Sequence, residues 1–60
     1  MNDEPDTAAE AAALYAEARE LHEAKAYSAA RPLYERSLRL REDPEVRAAY
    51  ARLMATLGPV

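Results

Sequence analysis

Sixty residues allow one domain, and a chain this short buries only about 60% of the surface its unfolded form exposes. The net charge is −3, and half of the 50% hydrophobic fraction is alanine, with no Ile, Phe or Trp, so the core is thin and in want of a staple, a metal or a partner. The absence of Cys excludes disulfides, thiolate metal sites and thiol nucleophiles, the lone Gly58 excludes a phosphate-cradling glycine loop, and no apolar run reaches the length of a membrane span.

Residues 1–6, Met1-Asn2-Asp3-Glu4-Pro5-Asp6, are acidic and polar. That is the opposite of a secretory leader's basic start, so a cytoplasmic location and a disordered N-terminus are expected. A first helix is predicted over about 7–25. Thr7-Ala8-Ala9-Glu10 fits a capping box, in which the hydroxyl takes an orphan backbone amide and Glu10 reaches back. Ala11, Leu14, Ala18 and Leu21 then recur at helical spacing on one face, and the run has no Gly or Pro to oppose helix formation.

A break is expected at Lys25-Ala26-Tyr27-Ser28. It contains no Gly, so on propensity alone one long helix over 7–31 stays open; the support for a break is Pro32, which in a helix interior would remove an amide bond and crowd the carbonyl of Ser28. A helix over about 28–42 sets Pro32 close to the tolerated first turn. Ala30, Leu33, Tyr34, Ser37, Leu38 and Leu40 supply its inward face. The next break is clearer. Asp43-Pro44-Glu45 reads as N-cap, first helical position and a negative charge at the positive end of the helix dipole. A third helix over 44–57 follows, with Val46, Ala49, Tyr50, Leu53 and Leu57 as its apolar stripe. Gly58-Pro59 closes it, the Gly suited to a left-handed cap, and 58–60 form a short tail. The expected fold is all-α, three helices.

Charge divides unevenly. Residues 1–23 hold seven acidic side chains and one Arg, whereas residues 24–60 hold seven basic and four acidic ones. An acidic first helix beside basic later ones suggests complementary faces, within one molecule or between molecules. Arg31, Arg36, Arg39, Arg47 and Arg52, with Arg41, compose this basic half and a candidate electrostatic face. With a pI near 5.0 and no nucleic-acid reading motif, pairing with acidic protein surfaces is favoured over DNA or RNA. Binding that collapses with added salt would mark the Arg face.

Catalytic apparatus is not visible. His22 is the only His, and a catalytic or metal-binding role would need convergent partners. Glu10, Glu17, Glu20 and Glu23 lack the loop of oxygen ligands that a hard cation wants; a solvated helix face explains them. No catalytic residue, metal or cofactor is expected.

The run Ala29-Ala30-Arg31-Pro32-Leu33-Tyr34-Glu35-Arg36-Ser37-Leu38-Arg39-Leu40-Arg41-Glu42 resembles the second helix of a tetratricopeptide repeat, closest to the kinesin-light-chain-like subgroup. The resemblance extends over about residues 8–57. It matches Leu14, Ala18 and Leu21 to the first helix of the repeat, and Tyr27, Ala30, Tyr34 and Ser37 to the second. Pro44, Tyr50, Leu53 and Leu57 match the helix that follows. Glu17 stands where Leu is usual, Lys25 replaces the usual turn Gly, and the link from Leu40 to Pro44 is two residues longer than in the 34-residue repeat.

The resemblance implies an antiparallel helical hairpin plus a third, capping helix. It also implies a non-enzymatic protein–protein interaction module that binds a peptide or helix on its first-helix face. Mapped by position, that face is Ala12, Tyr15, Arg19, His22 and Glu23, continued by Ala48, Ala51 and Ala55. Tyr and Arg are the residue types that anchor interfaces. The Lys and Asn set with which some members hold a terminal carboxylate is not matched. A single repeat cannot bury its apolar face alone, so the partner is a protein or peptide, another copy of the chain included. The alternatives are a self-associating or engineered mini-repeat scaffold, and a terminal docking segment of a larger bacterial assembly or multienzyme.

Overall fold

The computed structural model describes residues 4–58, with side chains from Thr7 onward. It contains three helices: α1, Glu4–Glu23; α2, Tyr27–Leu40; and α3, Pro44–Leu57. The fold is all-α, as the periodicity predicts. Residues 1–3 of the expected disordered segment, and 59–60 of the tail, lie outside the described residues.

The start of α1 differs from expectation. Glu4, Pro5 and Asp6 are already helical, so Thr7 lies within the helix and does not cap it. Pro5 falls in the first turn, where its fixed φ fits and its missing amide hydrogen leaves no bond unmade. From Thr7 the Ala-, Glu- and Leu-rich sequence propagates the helix without a breaker.

The helix ends at Glu23, two residues before the expected boundary. The amide of Ala26 donates to the carbonyl of Leu21 at 2.8 Å, and that of Lys25 to His22 at 3.0 Å. These are the paired bonds of a Schellman ending, which needs a left-handed residue between them. Lys25 takes that role with φ +67°. A side chain with a Cβ sits where glycine is normal, at a cost of about 1–2 kcal/mol. The backbone bonds that close α1 offset it.

Tyr27 opens α2 instead of belonging to the break, and the helix ends at Leu40, not 42. Pro32 is consequently the sixth helical residue, beyond the tolerated first turn. It has no amide hydrogen to give the carbonyl of Ser28. Ser28 and Pro32 are both exposed, so water can satisfy that carbonyl. Arg41 turns extended, at φ −155° and ψ 122°, and its amide still donates to Ser37. Asp43 caps α3 as expected: its Oδ1 accepts the Glu45 amide at 2.9 Å, Pro44 occupies the first turn and Glu45 adds its charge there. Gly58 ends α3 with φ +90° and ψ 157°. That is not the expected left-handed helical cap but a region open almost only to glycine. The following Pro59 disfavours helical ψ at this position.

Helix α2 is central, with α1 on one flank and α3 on the other, and α1 and α3 touch each other little. The principal extents are 41 × 19 × 15 Å, and α1, at 20 residues, is the longest helix, about 30 Å. Ala18 of α1 and Ala30 of α2 are fully buried, and their size lets the two backbones approach closely. At the far end Ser37 donates its hydroxyl to the Ala11 carbonyl, 2.9 Å away and buried. Tyr34, Val46 and Leu53 complete the core.

The leucines are less buried than the periodicity implies. Leu14, Leu21, Leu33 and Leu38 are half-buried, and Leu40 and Leu57 are exposed. Of the expected inward face of α2, only Ala30, Tyr34 and Ser37 are buried. Three short helices enclose one narrow line of contact, and residues half a turn from it stay at the surface. No helix of the described residues is long and apolar enough to cross a membrane.

Candidate functional site

Because α1 and α3 both pack on α2 and barely touch each other, they leave an open cleft between them. Its volume is about 430 Å³, and it is lined by Tyr15, Arg19, His22 and Glu23 of α1, Tyr34 of α2, and Glu45, Ala48, Ala49 and Arg52 of α3.

Tyr34 is the floor. It is 1% exposed, and three rings surround it: Tyr15 at 6.1 Å, His22 at 5.9 Å and edge-on, and Tyr50 at 6.3 Å. These separations are those of favourable aromatic pairs. Burial pushes the Tyr34 phenol above its ordinary value, so it stays protonated near neutrality. Its hydroxyl lies 2.9 Å from Nδ1 of His22 and donates to it when the imidazole carries its own hydrogen on Nε2. His22 also meets Tyr27 edge-on at 5.7 Å. The histidine is therefore oriented by α2 and presented to the cleft.

The walls carry the charge. The Arg19 guanidinium sits 5.9 Å from the Tyr15 ring centre, within cation–π range. It also lies 3.7 Å from Glu23 in an exposed pair of the kind that contributes little to stability. Among the described residues Arg52 and Glu45 form no ion pair, so both remain available to a ligand. An apolar side chain can rest on the ring of Tyr15 and the methyls of Ala48 and Ala49, above the buried Tyr34. Arg19 and Arg52 then offer guanidinium hydrogens to a carboxylate or carbonyl. Among the described residues no group of three His, Asp or Glu gathers for a metal ion.

Four of the five expected interface residues, Tyr15, Arg19, His22 and Glu23, come together here with Ala48. Ala12 does not line the cleft and is exposed, as are Ala51 and Ala55. The observed α3 lining shares Ala48 with the expected face and is rotated from it by about a fifth of a turn. Glu45, Ala48 and Arg52, at spacings of three and four, are the stripe that faces α1, and that spacing was available in the sequence. Tyr34, expected as core, is core and cleft floor together.

The expected single electrostatic face does not form. Arg31 binds Glu35 at 3.1 Å within α2, and Arg47 grips Glu42 of the linker with two hydrogen bonds, one of 2.9 Å. Arg52 lines the cleft, whereas Arg36 and Arg39 line a separate hollow with Glu10 and Leu40. Local partners capture Arg31 and Arg47, and Arg52 faces a different hollow from Arg36 and Arg39. Glu35 also accepts the Tyr50 hydroxyl at 2.7 Å. That bond, then the one from Arg31, holds its carboxyl below the ordinary value, and the same bond raises the Tyr50 phenol.

No protein-family model, curated protein or solved structure matches the chain. The tetratricopeptide resemblance therefore rests on the residues alone.

Proposed function

We propose that the chain is a non-enzymatic protein–protein interaction module of tetratricopeptide type, and that it seats a peptide or helix in the cleft between α1 and α3. One observation carries this. Tyr15, Arg19 and Arg52, of the residue types that anchor interfaces, converge with small alanines around an aromatic floor. The cleft is open to solvent, which suits a peptide or helix more than an enclosed small molecule. In support, the two buried alanines at the α1–α2 contact stand where the repeat pattern puts its small residues, and Tyr34 stands at its aromatic position.

The test is a selection of displayed random peptides against the folded chain, followed by titration of the enriched sequences. Tyr15→Ala and Arg52→Ala weaken their binding at least tenfold while helicity by circular dichroism is unchanged. Enriched peptides that bind both variants as tightly as the parent would refute the cleft as the site.

A further inference from the structure

A second surface lies on the back of the α1–α2 pair, away from the cleft. Along α1, Glu10, Leu14, Glu17 and Leu21 recur at spacings of four, three and four, so they form one stripe. Along α2, Ala29, Leu33, Arg36 and Leu40 recur at the same spacings. The two stripes share a side, because Glu10, Arg36, Arg39 and Leu40 line one hollow. The leucines in them are under-used: Leu14, Leu21 and Leu33 are half-buried, and Leu40 is 37% exposed. The charges are under-used too. Every ion pair among the described residues is local, within α1, within α2 or from the linker to α3. None joins acidic α1 to basic α2.

We propose that this face is a self-association surface whose partner is a second copy of the chain. It has an apolar centre, one acidic rim and one basic rim, and so is complementary to itself. A two-fold pair can be built on it in two ways. Setting α1 on α1 stacks acid on acid and Arg on Arg. Setting α1 of each copy on α2 of the other brings the Glu10–Glu17 side against the Arg36–Arg39 side twice, over a shared strip of leucines. Charge selects the second arrangement, because isologous contacts repeat each pairing. The cleft lies on the opposite side and stays open.

The surface is small. A standard interface takes about 800 Å² from each partner, about a fifth of the 4178 Å² this chain exposes. Helix α2 is about 21 Å long, so two helices side by side fall at the small, transient end of specific interfaces. The dimer is accordingly weak, concentration-dependent and loosened by salt.

Sedimentation equilibrium of the chain from micromolar to millimolar concentration tests this, with two charge-reversed proteins. One carries Glu10→Arg and Glu17→Arg; the other carries Arg36→Glu and Arg39→Glu. All four positions are exposed, so helicity by circular dichroism stays at the parental level. The parent dimerises. Each reversed protein alone stays monomeric, and an equimolar mixture forms a heterodimer, since one copy is then all basic on this face and the other all acidic. Leu40→Ser removes exposed apolar surface without adding charge and weakens the parental dimer at least tenfold by a route independent of the Glu–Arg pairs, and Arg52→Ala in the cleft leaves it unchanged. A parent that stays monomeric throughout, reversed proteins that self-associate like the parent, or a mixture that does not pair would each overturn the proposal.

Discussion

Pro32 offers the sharpest test of how the fold is assembled. It stands sixth in a helix of 14 residues, where its ring removes one backbone hydrogen bond and crowds the carbonyl of Ser28. Replacing an interior Pro by Ala is worth about 3 kcal/mol in helix propensity. Two features of this site reduce that gain. Ser28 is exposed, so water already satisfies part of what the lost bond would supply. Alanine also frees the unfolded chain, which costs about 0.4–1 kcal/mol. The ring is itself exposed, so no buried packing is lost. Pro32→Ala therefore stabilises by about 2 kcal/mol. In so small a domain each kcal/mol moves the midpoint by about 4–8 °C, so thermal unfolding followed by circular dichroism should rise by about 8–16 °C. A midpoint that stays or falls would refute this account. It would mean that the proline at this position helps to seat Tyr34, two residues on, in the core.

Other substitutions probe the remaining joints. Lys25→Gly relieves the positive φ that ends α1 and, after the entropy glycine adds to the unfolded chain, gains about 0.5–1 kcal/mol in denaturant titrations; a loss would show that the Lys25 side chain contributes more than its backbone costs. Tyr34→Phe keeps the rings but drops the bond to His22, and lowers stability by about 0.5–1.5 kcal/mol, with a change larger than that of a core truncation counting against the assignment. Glu35 has a depressed carboxyl, so its contribution is present above the ordinary value of 4.5 and is lost as pH falls through the lower folded value. Glu35→Gln should flatten the acid limb of the stability profile, and an unaltered limb would remove Glu35 from the α2–α3 joint.

The parts of this fold legible in the sequence are those written in backbone chemistry. Asp43-Pro44-Glu45 has one interpretation, and α3 starts there. Helix type followed from unbroken stretches of good formers. The α1–α2 turn was harder, because Lys25 adopts a conformation its residue type disfavours. Its signal lies in hydrogen bonds to Leu21 and His22, which no composition rule records. The capping-box pattern at Thr7 does not mark the start of α1, which begins before Pro5, a residue suited to a first turn.

The cleft was half legible. Tyr15, Arg19, His22 and Glu23 followed from placing one face of α1 by the resemblance, but Arg52 and Glu45 depend on the rotation of α3 about its own axis. Packing of Val46 and Leu53 on Tyr34 sets that rotation, and a pairwise register cannot. The charge segregation was visible at once, but its meaning was not. Local ion pairs take Arg31 and Arg47, and only Arg36 and Arg39 are left beside Glu10.

Chemical-shift mapping of the isotope-labelled chain with a peptide enriched by selection tests the interaction cleft most directly. The account predicts that the largest amide shifts cluster at Tyr15, Arg19, His22, Ala48 and Arg52, with the Leu33–Leu40 surface of α2 unmoved beyond Tyr34. Shifts confined to that back surface, or none at saturating peptide, would contradict it.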